Sequence, residues 1–324
     1  MPPTFSVYIP TYNRAGLVGQ AIKSVLDQTF PDFELIIVDD CSTDGTKEVV
    51  SGFSDKRIKY HRNEKNLGCV GAHNVGLKLC TGRYIHPLDS DDILFPANLE
   101  KKERIFRENP EVGLIYTDSN LIDDDHNILK NSYWESDGYK PISGKLSAEL
   151  IACCGLNMIN PAYRKEIVDR VGYQNPELEH PHDGDYRLRI VAESSAACIP
   201  EVLYSWRMHE GCRHETNNEK MYLERARVIK EISGNYPQAI SRTLTNIYVA
   251  NNHCQAGLFL SKNKEFARAR ESFKKALREY PLHPLAVLWY LNTYTRIEAL
   301  WSFKSAKKYF LILLHFRSKM KQKN

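Results

Sequence analysis

Phe33-Glu34-Leu35-Ile36-Ile37-Val38-Asp39-Asp40-Cys41-Ser42-Thr43-Asp44-Gly45-Thr46 is the stretch that decides how this chain folds. The run from Phe33 is too short for a buried helix and rich in β-formers, so it reads as a buried strand that ends at Asp39-Asp40. Ser42-Thr43-Asp44-Gly45 then opens a helix, with Asp44 or Ser42 as the candidate N-cap. The same order stands upstream. Phe5-Ser6-Val7-Tyr8-Ile9 is a strand, residues 10–14 are a polar break, and residues 15–26 space their apolar side chains as an amphipathic helix does. Downstream come Ile58-Lys59-Tyr60, the turn Asn66-Leu67-Gly68, a helix near 70–79 and a fourth strand at Arg83-Tyr84-Ile85-His86. Such alternation predicts an α/β fold, with a mostly parallel sheet and helices on both faces. Ligands of such sheets bind beyond the carboxyl ends of the strands. Thr11-Tyr12-Asn13, Asp39-Asp40 and Asp89-Ser90-Asp91-Asp92 all fall there.

From Val112-Gly113-Leu114-Ile115-Tyr116 to about residue 207 the alternation gives way to strands, loops and helices near 164–171 and 185–192, which suggests elements that close the cleft. After about residue 211 the pattern is helical. Residues 252–286 read as a helix pair with Ala256, Gly257, Ala267, Ala269 and Ala276 at close-packing positions and Pro281 closing it. Phe266, Ala269, Phe273, Ala276, Leu277 and Pro281 resemble a single tetratricopeptide-like unit. One such unit cannot bury its own apolar face, which favours a packed C-terminal helical subdomain over a protein-docking array. The expected organisation is a first domain at 1–215, with its alternating part at 1–118 and its irregular part at 119–215, followed by a helical subdomain with a basic tail at 216–324.

The 324 residues are 42% hydrophobic and 26% charged, as in folded globular proteins. Charge is unevenly spread: 217–324 carry 20 Lys/Arg against 7 Asp/Glu, and 1–216 carry 24 against 33. Residues 296–324 mix Leu300, Trp301, Phe303, Tyr309, Phe310 and Phe316 with Lys304, Lys307, Lys308, Arg317 and Lys319. That mixture suits either an interfacial helix on an anionic membrane or a stripe packed on the preceding helices. The eight cysteines lack Cys-x-x-Cys spacing and read as reduced thiols. No secretory signal is read at the start, and the longest strongly apolar run, 309–314, is far short of a bilayer span, so a cytoplasmic or peripheral location is expected. No Gly-x-x-x-x-Gly-Lys-Ser/Thr loop occurs, and no Gly-x-Gly-x-x-Gly follows the first strand, which disfavours mononucleotide hydrolysis and dinucleotide redox chemistry. No nucleic-acid partner is expected.

Asp89-Ser90-Asp91 follows Pro87-Leu88, and carboxylates at i and i+2 in a bend can reach one ligand from one side. Their hard oxygens suit Mg²⁺ or Mn²⁺, which would bridge a diphosphate and stabilise its departure. Alone the triplet is common in solvated loops. Its neighbours are more specific. Val7-Tyr8-Ile9-Pro10-Thr11-Tyr12-Asn13-Arg14, Ser24-Val25-Leu26-Asp27-Gln28-Thr29-Phe30, the opening stretch from Phe33 to Thr46, Asn66-Leu67-Gly68 and Pro87-Leu88-Asp89-Ser90-Asp91-Asp92 together resemble, in order, the inverting family 2 glycosyltransferases. The resemblance is strong over 4–120 and loose over 150–210.

It implies a GT-A fold, with a nucleotide-binding half at 1–118 and an acceptor-binding half at 119–215, and transfer of a sugar from a nucleoside diphosphate, UDP favoured, to a hydroxyl of a glycan or lipid-linked acceptor. Pro10 and Tyr12 can wall and stack a base, and Asp40 can accept the N–H of a uracil-like ring; the plain alternatives are a strand-end aromatic for Tyr12 and a helix N-terminal charge for Asp40. By the resemblance Asp89 lies near ribose and metal and Asp91 ligates the metal; Asp92 itself reads as the cap of a helix beginning around 93–96. The family's Glu-Asp-x-Asp stretch matches His182-Asp183-Gly184-Asp185, followed by Tyr186-Arg187-Leu188-Arg189; Asp183 matches the general base, and His182 departs from the usual Glu. Asp185 is either a second acid or a first-turn carboxylate. In Tyr204-Ser205-Trp206-Arg207-Met208-His209, His209 is a candidate third metal ligand and Trp206 a candidate acceptor contact, with 211–218 as a lid. His73, His86, His180 and Cys153-Cys154 read as packing or surface. The rival functions are a nucleotide-binding protein that acts as a helical interaction module and a nucleotidyltransferase on a similar sheet.

Overall fold

The computed structural model describes residues 1–136, 144–146, 158–178, 182–208 and 219–295. Two compact units emerge, one of Met1–His214 with Ile232–Ser241, the other of Glu215–Glu231 with the chain from Arg242 onward.

The first unit is built on one sheet. Strands β1 (Phe5–Thr11), β2 (Phe33–Asp39), β3 (Ile58–Arg62) and β4 (Tyr84–Pro87) run parallel in the order β3-β2-β1-β4. Helices α1 (Val18–Leu26), α2 (Thr46–Ser51) and α3 (Gly68–Leu79) lie between them in sequence. Every residue of β2 is buried, as a strand covered on both faces must be. On one face Phe5, Val7, Ile9, Leu35 and Ile37 share a core with Ala21, Ile22 and Val25 of α1. On the other, Gly76 of α3 comes so close that a Cβ there would stand 2.3 Å from the Tyr8 ring. The predicted β-α alternation and the mixed α/β class are both present.

Strands β6 (Val112–Ile122) and β10 (Ser195–Arg207) extend the sheet as a second parallel pair. Between β4 and β6 lies β9 (Ala162–Arg164), antiparallel to both. Helix α4 (Asn98–Glu108) covers this junction, and its Phe106 stacks on Tyr84 with centroids 4.4 Å apart. Short strands β7 (Ile128–Lys130) and β8 (Gly144–Leu146) pair antiparallel with β6 and β10, and α5 (Tyr133–Ser136) follows β7. Helices α6 (Lys165–Val171) and α7 (His182–Ala192) fall where the sequence placed helices, although α7 begins at His182.

One expectation fails here. Residues 93–96 are not a helix. Ile93–Leu94 form β5, antiparallel to Tyr204–Ser205 of β10. Asp92 therefore caps nothing, because its carboxylate is taken up by β10.

The second unit is helical. Helix α8 (Glu219–Asn235) crosses the division of the chain, and α9 (Arg242–Lys262), α10 (Phe266–Glu279) and α11 (Pro284–Thr295) follow. Ala250, Cys254, Leu258, Ala269, Phe273 and Ala276 share one core. Gly257 lies where a Cβ would approach the Phe273 ring to 2.7 Å. Ala256, Ala269 and Ala276 are fully buried, but Ala267 is exposed. It stands two residues from Ala269, roughly 200° around the helix, and cannot share its face. No helix among the described residues is long and apolar enough to cross a membrane. The tail 296–324, the candidate lid 211–218, His180 and Cys153-Cys154 lie outside the described residues.

Candidate active site

Strand register brings Thr11 opposite Asp39. The loops that follow these two strands are laced together by short polar side chains. Asn13 N–H donates to Ser42 Oγ at 3.0 Å, Arg14 N–H to Thr46 Oγ1 at 3.0 Å and Ala15 N–H to Asp44 Oδ2 at 3.0 Å. In return Thr43 N–H donates to Asn13 Oδ1 at 2.8 Å. Asp44 also accepts from Thr46 N–H at 3.0 Å, just ahead of α2. Pro10 is half-buried, whereas Tyr12 rises from this platform 45% exposed.

Asp40 is buried. Its Oδ1 accepts from Asn63 Nδ2 and Leu67 N–H, both at 2.8 Å, and its Oδ2 from Gly68 N–H at 2.9 Å. It thus pins the start of α3, where Gly68 takes φ +75°, a conformation that costs other residues far more.

Beyond β4 the chain turns at Asp89-Ser90-Asp91-Asp92, closed by Asp92 N–H to Asp89 O at 3.2 Å. Three cationic or imidazole groups stand against these acids. Arg14 Nε is 3.8 Å from Asp91. His73 Nε2 is 3.9 Å from Asp89, and its Nδ1 lies 3.1 Å from the Tyr8 hydroxyl. Arg187 pairs with Asp183 at 2.8 Å, one turn apart on α7. The Asp89 carboxyl is pushed up to about 7, first by removal from bulk water and then by the Asp91 charge; Arg187 pulls it down and Asp183 pushes it up. Its side chain is still 60% exposed toward the cleft, so water there moderates the burial effect. Burial likewise pushes the Asp92 carboxyl well above the ordinary range.

Asp183 and Asp185 face different ways, as two residues on a helix must. Asp185 is buried and paired with Arg189 at 2.9 Å, and Arg189 in turn donates to Val171 O and Tyr173 O. Asp92 accepts from the Tyr204 hydroxyl and, at 2.8 Å, from Arg207 N–H. Trp206 is half-buried with its ring 5.5 Å from that of Tyr133. His209 and the side chain of His182 lie outside the described residues. Sequence reading missed His73, Arg14 and Arg207. The i,i+4 spacings of Asp183 with Arg187 and of Asp185 with Arg189 did carry a sequence signal for their pairs.

Asp89 and Asp91 offer the oxygen donors that Mg²⁺ and Mn²⁺ take. Asp91 and Asp183 both act on the Asp89 carboxyl and raise its pKa, an excess of negative charge that a divalent cation relieves, so the donor set fits one. Among the described residues no group of three or more His, Cys, Asp or Glu is placed to hold a cation. The remaining positions would fall to a diphosphate and water, the usual arrangement for Mg²⁺.

The sequence pattern of glycosyl transferase family 2 matches residues 6–171. An uncharacterized glycosyltransferase of Rickettsia bellii is 37% identical over 154 residues, 47% of this chain but 21% of that relative. The UDP-Glc:alpha-D-GlcNAc-diphosphoundecaprenol beta-1,3-glucosyltransferase of Escherichia coli is 38% identical over 125 residues, 39% of this chain and 49% of that relative. The chain thus spans about a fifth of the first and half of the second. Among solved structures, residues 1-349 of S. aureus TarS in complex with UDP-GlcNAc align with TM-score 0.69 and 20% identity over 91% of this chain and 89% of that one, a likeness of fold. The matched segment carries β1 to β4, their laced loops and the acidic turn, and with the GT-A-type sheet they complete, the chain belongs to glycosyl transferase family 2.

Proposed function

We propose that this protein transfers a sugar with inversion from a nucleoside diphosphate donor, UDP-linked, to a hydroxyl of a glycan or lipid-linked acceptor. The observation that carries the reading is the meeting of Asp89, Asp91 and the Asp183–Arg187 pair beyond the strand ends that also present Tyr12 and Asp40. Tyr12 offers an exposed ring for a base to stack on, with Pro10 as a wall. Asp40 either accepts from the base or holds the Asn63–Gly68 turn beneath it. Asp183 takes the proton of the acceptor hydroxyl as that oxygen bonds to the anomeric carbon and the bond from that carbon to the diphosphate breaks. Arg187 holds the Asp183 carboxylate in place. Asp89 and Asp91 would hold a divalent cation, which when bound supplies Lewis-acid stabilisation of the departing diphosphate. Asp185, His182, Trp206 and His209 are kept as secondary candidates, the first three for the acceptor and His209 for the metal.

The UDP-Glc donor of the Escherichia coli glucosyltransferase and the UDP-GlcNAc bound in the TarS complex support UDP. The diphosphoundecaprenol acceptor of the former supports a lipid-linked substrate; the proposed place of the protein is the cytoplasmic face of a membrane, with 296–324 as the contact. Liposome co-sedimentation checks the contact: full-length protein should pellet with anionic vesicles, and equally poor pelleting of full-length and 1–295 chains would remove it.

Binding and hydrolysis of UDP-, GDP- and dTDP-sugars, each with and without Mn²⁺, test the enzyme reading, which fails if none binds with metal. Asp183→Asn should abolish transfer while sparing donor binding. Asp91→Ala should weaken metal-dependent binding. The reverse pattern would exchange the two roles.

A further inference from the structure

Arg207 ends β10 and is, among the described residues, the largest side chain that is fully enclosed, at 1% exposure. Burying a guanidinium is unfavourable unless its donors are matched. Here they are matched to three separate segments. Nε donates to Asp91 O at 2.9 Å, Nη1 to Asp123 O at 2.9 Å and Asp124 O at 3.2 Å, and Nη2 to Gln20 Oε1 at 2.8 Å. The N–H of the same residue donates to Asp92 Oδ1 at 2.8 Å.

The peptide between Asp91 and Asp92 is therefore held on both sides. Arg207 grips its carbonyl, and its N–H closes the turn onto Asp89 at 3.2 Å. The direction of the Asp91 side chain follows from that peptide. The planar fork of Arg207 fixes it against α1, which carries Gln20, and against the turn between β6 and β7, which carries Asp123 and Asp124.

We propose that Arg207 is a positioning residue for the donor: by holding the main chain of the Asp89–Asp92 turn, it sets how tightly the turn binds a divalent cation together with a nucleoside diphosphate. The proposal rests on the reading of Asp89 and Asp91 given above. A lysine would keep the charge but not the fork, since one ammonium cannot reproduce three in-plane donor directions.

The test titrates Mn²⁺ with UDP, and in a second arm Mn²⁺ with GDP, into wild type, Arg207→Lys, Gln20→Leu and Asp91→Asn by calorimetry, with UDP alone as reference. Donor KM and kcat are read on whichever sugar nucleotide is turned over. Arg207→Lys should lose roughly 10- to 100-fold in metal-dependent affinity, as supporting residues of metal sites do, with binding of UDP alone unchanged and the loss in KM larger than that in kcat. Gln20→Leu, which frees one donor of the fork, should show a smaller loss of the same kind. Equal losses with and without metal would make Arg207 a general fold residue and overturn the proposal. So would wild-type metal-dependent affinity in Arg207→Lys while Asp91→Asn is impaired. If Asp91→Asn itself binds like wild type, the reading of the turn fails and takes the proposal with it. Should Arg207→Lys not fold, Gln20→Leu decides, and unchanged affinity there overturns it.

Discussion

Glu34 is a charged side chain in a strand otherwise made for burial, and it is 5% exposed. Its carboxylate accepts from Ser6 Oγ at 2.5 Å, Lys59 Nζ at 2.5 Å, Thr81 N–H at 2.8 Å and Thr81 Oγ1 at 2.7 Å. Burial raises its pKa, but the bonds from Lys59, Ser6 and Thr81 outweigh this and hold it below the ordinary value of 4.5. A carboxyl lowered on folding stabilises the fold above its unfolded pKa, and that stabilisation is lost as pH falls through the folded value. Glu34→Gln should therefore cost roughly 1–3 kcal/mol at pH 7, and the gap to wild type should close below about pH 4.5, as urea melts across pH would show. At this scale the sequence was partly legible. Asp89, Asp91 and Asp183 stood out because each sits in a local motif. His73 was passed over because its contacts with Tyr8 and Asp89 join three elements distant in sequence. Arg207 was read only as part of a segment, because nothing local distinguishes a clamp from a surface cation.

At the scale of elements, the strands buried on both faces were plain, because a short β-rich run such as Leu35-Ile36-Ile37-Val38 is hard to read otherwise. The two-residue β5 was read as a helix start, because it is too short to show a period and its partner on β10 lies more than a hundred residues away. Helix α3 illustrates what packing adds to pattern. It lies on β1 through Gly76, where even a methyl group would meet the Tyr8 ring at 2.3 Å. Gly76→Ala would gain up to about 1 kcal/mol of helix propensity but should lose more by overpacking, which costs roughly 1–3 kcal/mol. A lower melting temperature is expected, together with weaker donor binding, because Tyr8 also contacts His73. An unchanged melting temperature would show that the ring swings aside freely.

Across the whole molecule, the change from β-α alternation to helical pattern was visible in sequence, but the return of one segment was not. Ile232–Ser241 groups with the sheet unit, although the residues on either side of it belong to the helical one. Ile232 and Ile240, 1% and 2% exposed, are its buried members. A chain ending at 241 should keep more of the sheet unit's stability than one ending at 215, by roughly 1.5–3 kcal/mol for each buried isoleucine. Scanning calorimetry of the two chains measures the difference, and identical melting would detach this segment from the sheet.

The insertion of β9 between β4 and β6 has a consequence in time. Both flanking strands precede it in the chain, so a nascent polypeptide carries Tyr84-Ile85 and Leu114-Ile115 as unpaired edges until residues 162–164 are made. Open apolar edges are templates for association with other chains. A family 2 fold with this topology is therefore most vulnerable midway through its own synthesis, and β9 covers only one side of β6, whose other edge stays open until β10 is made.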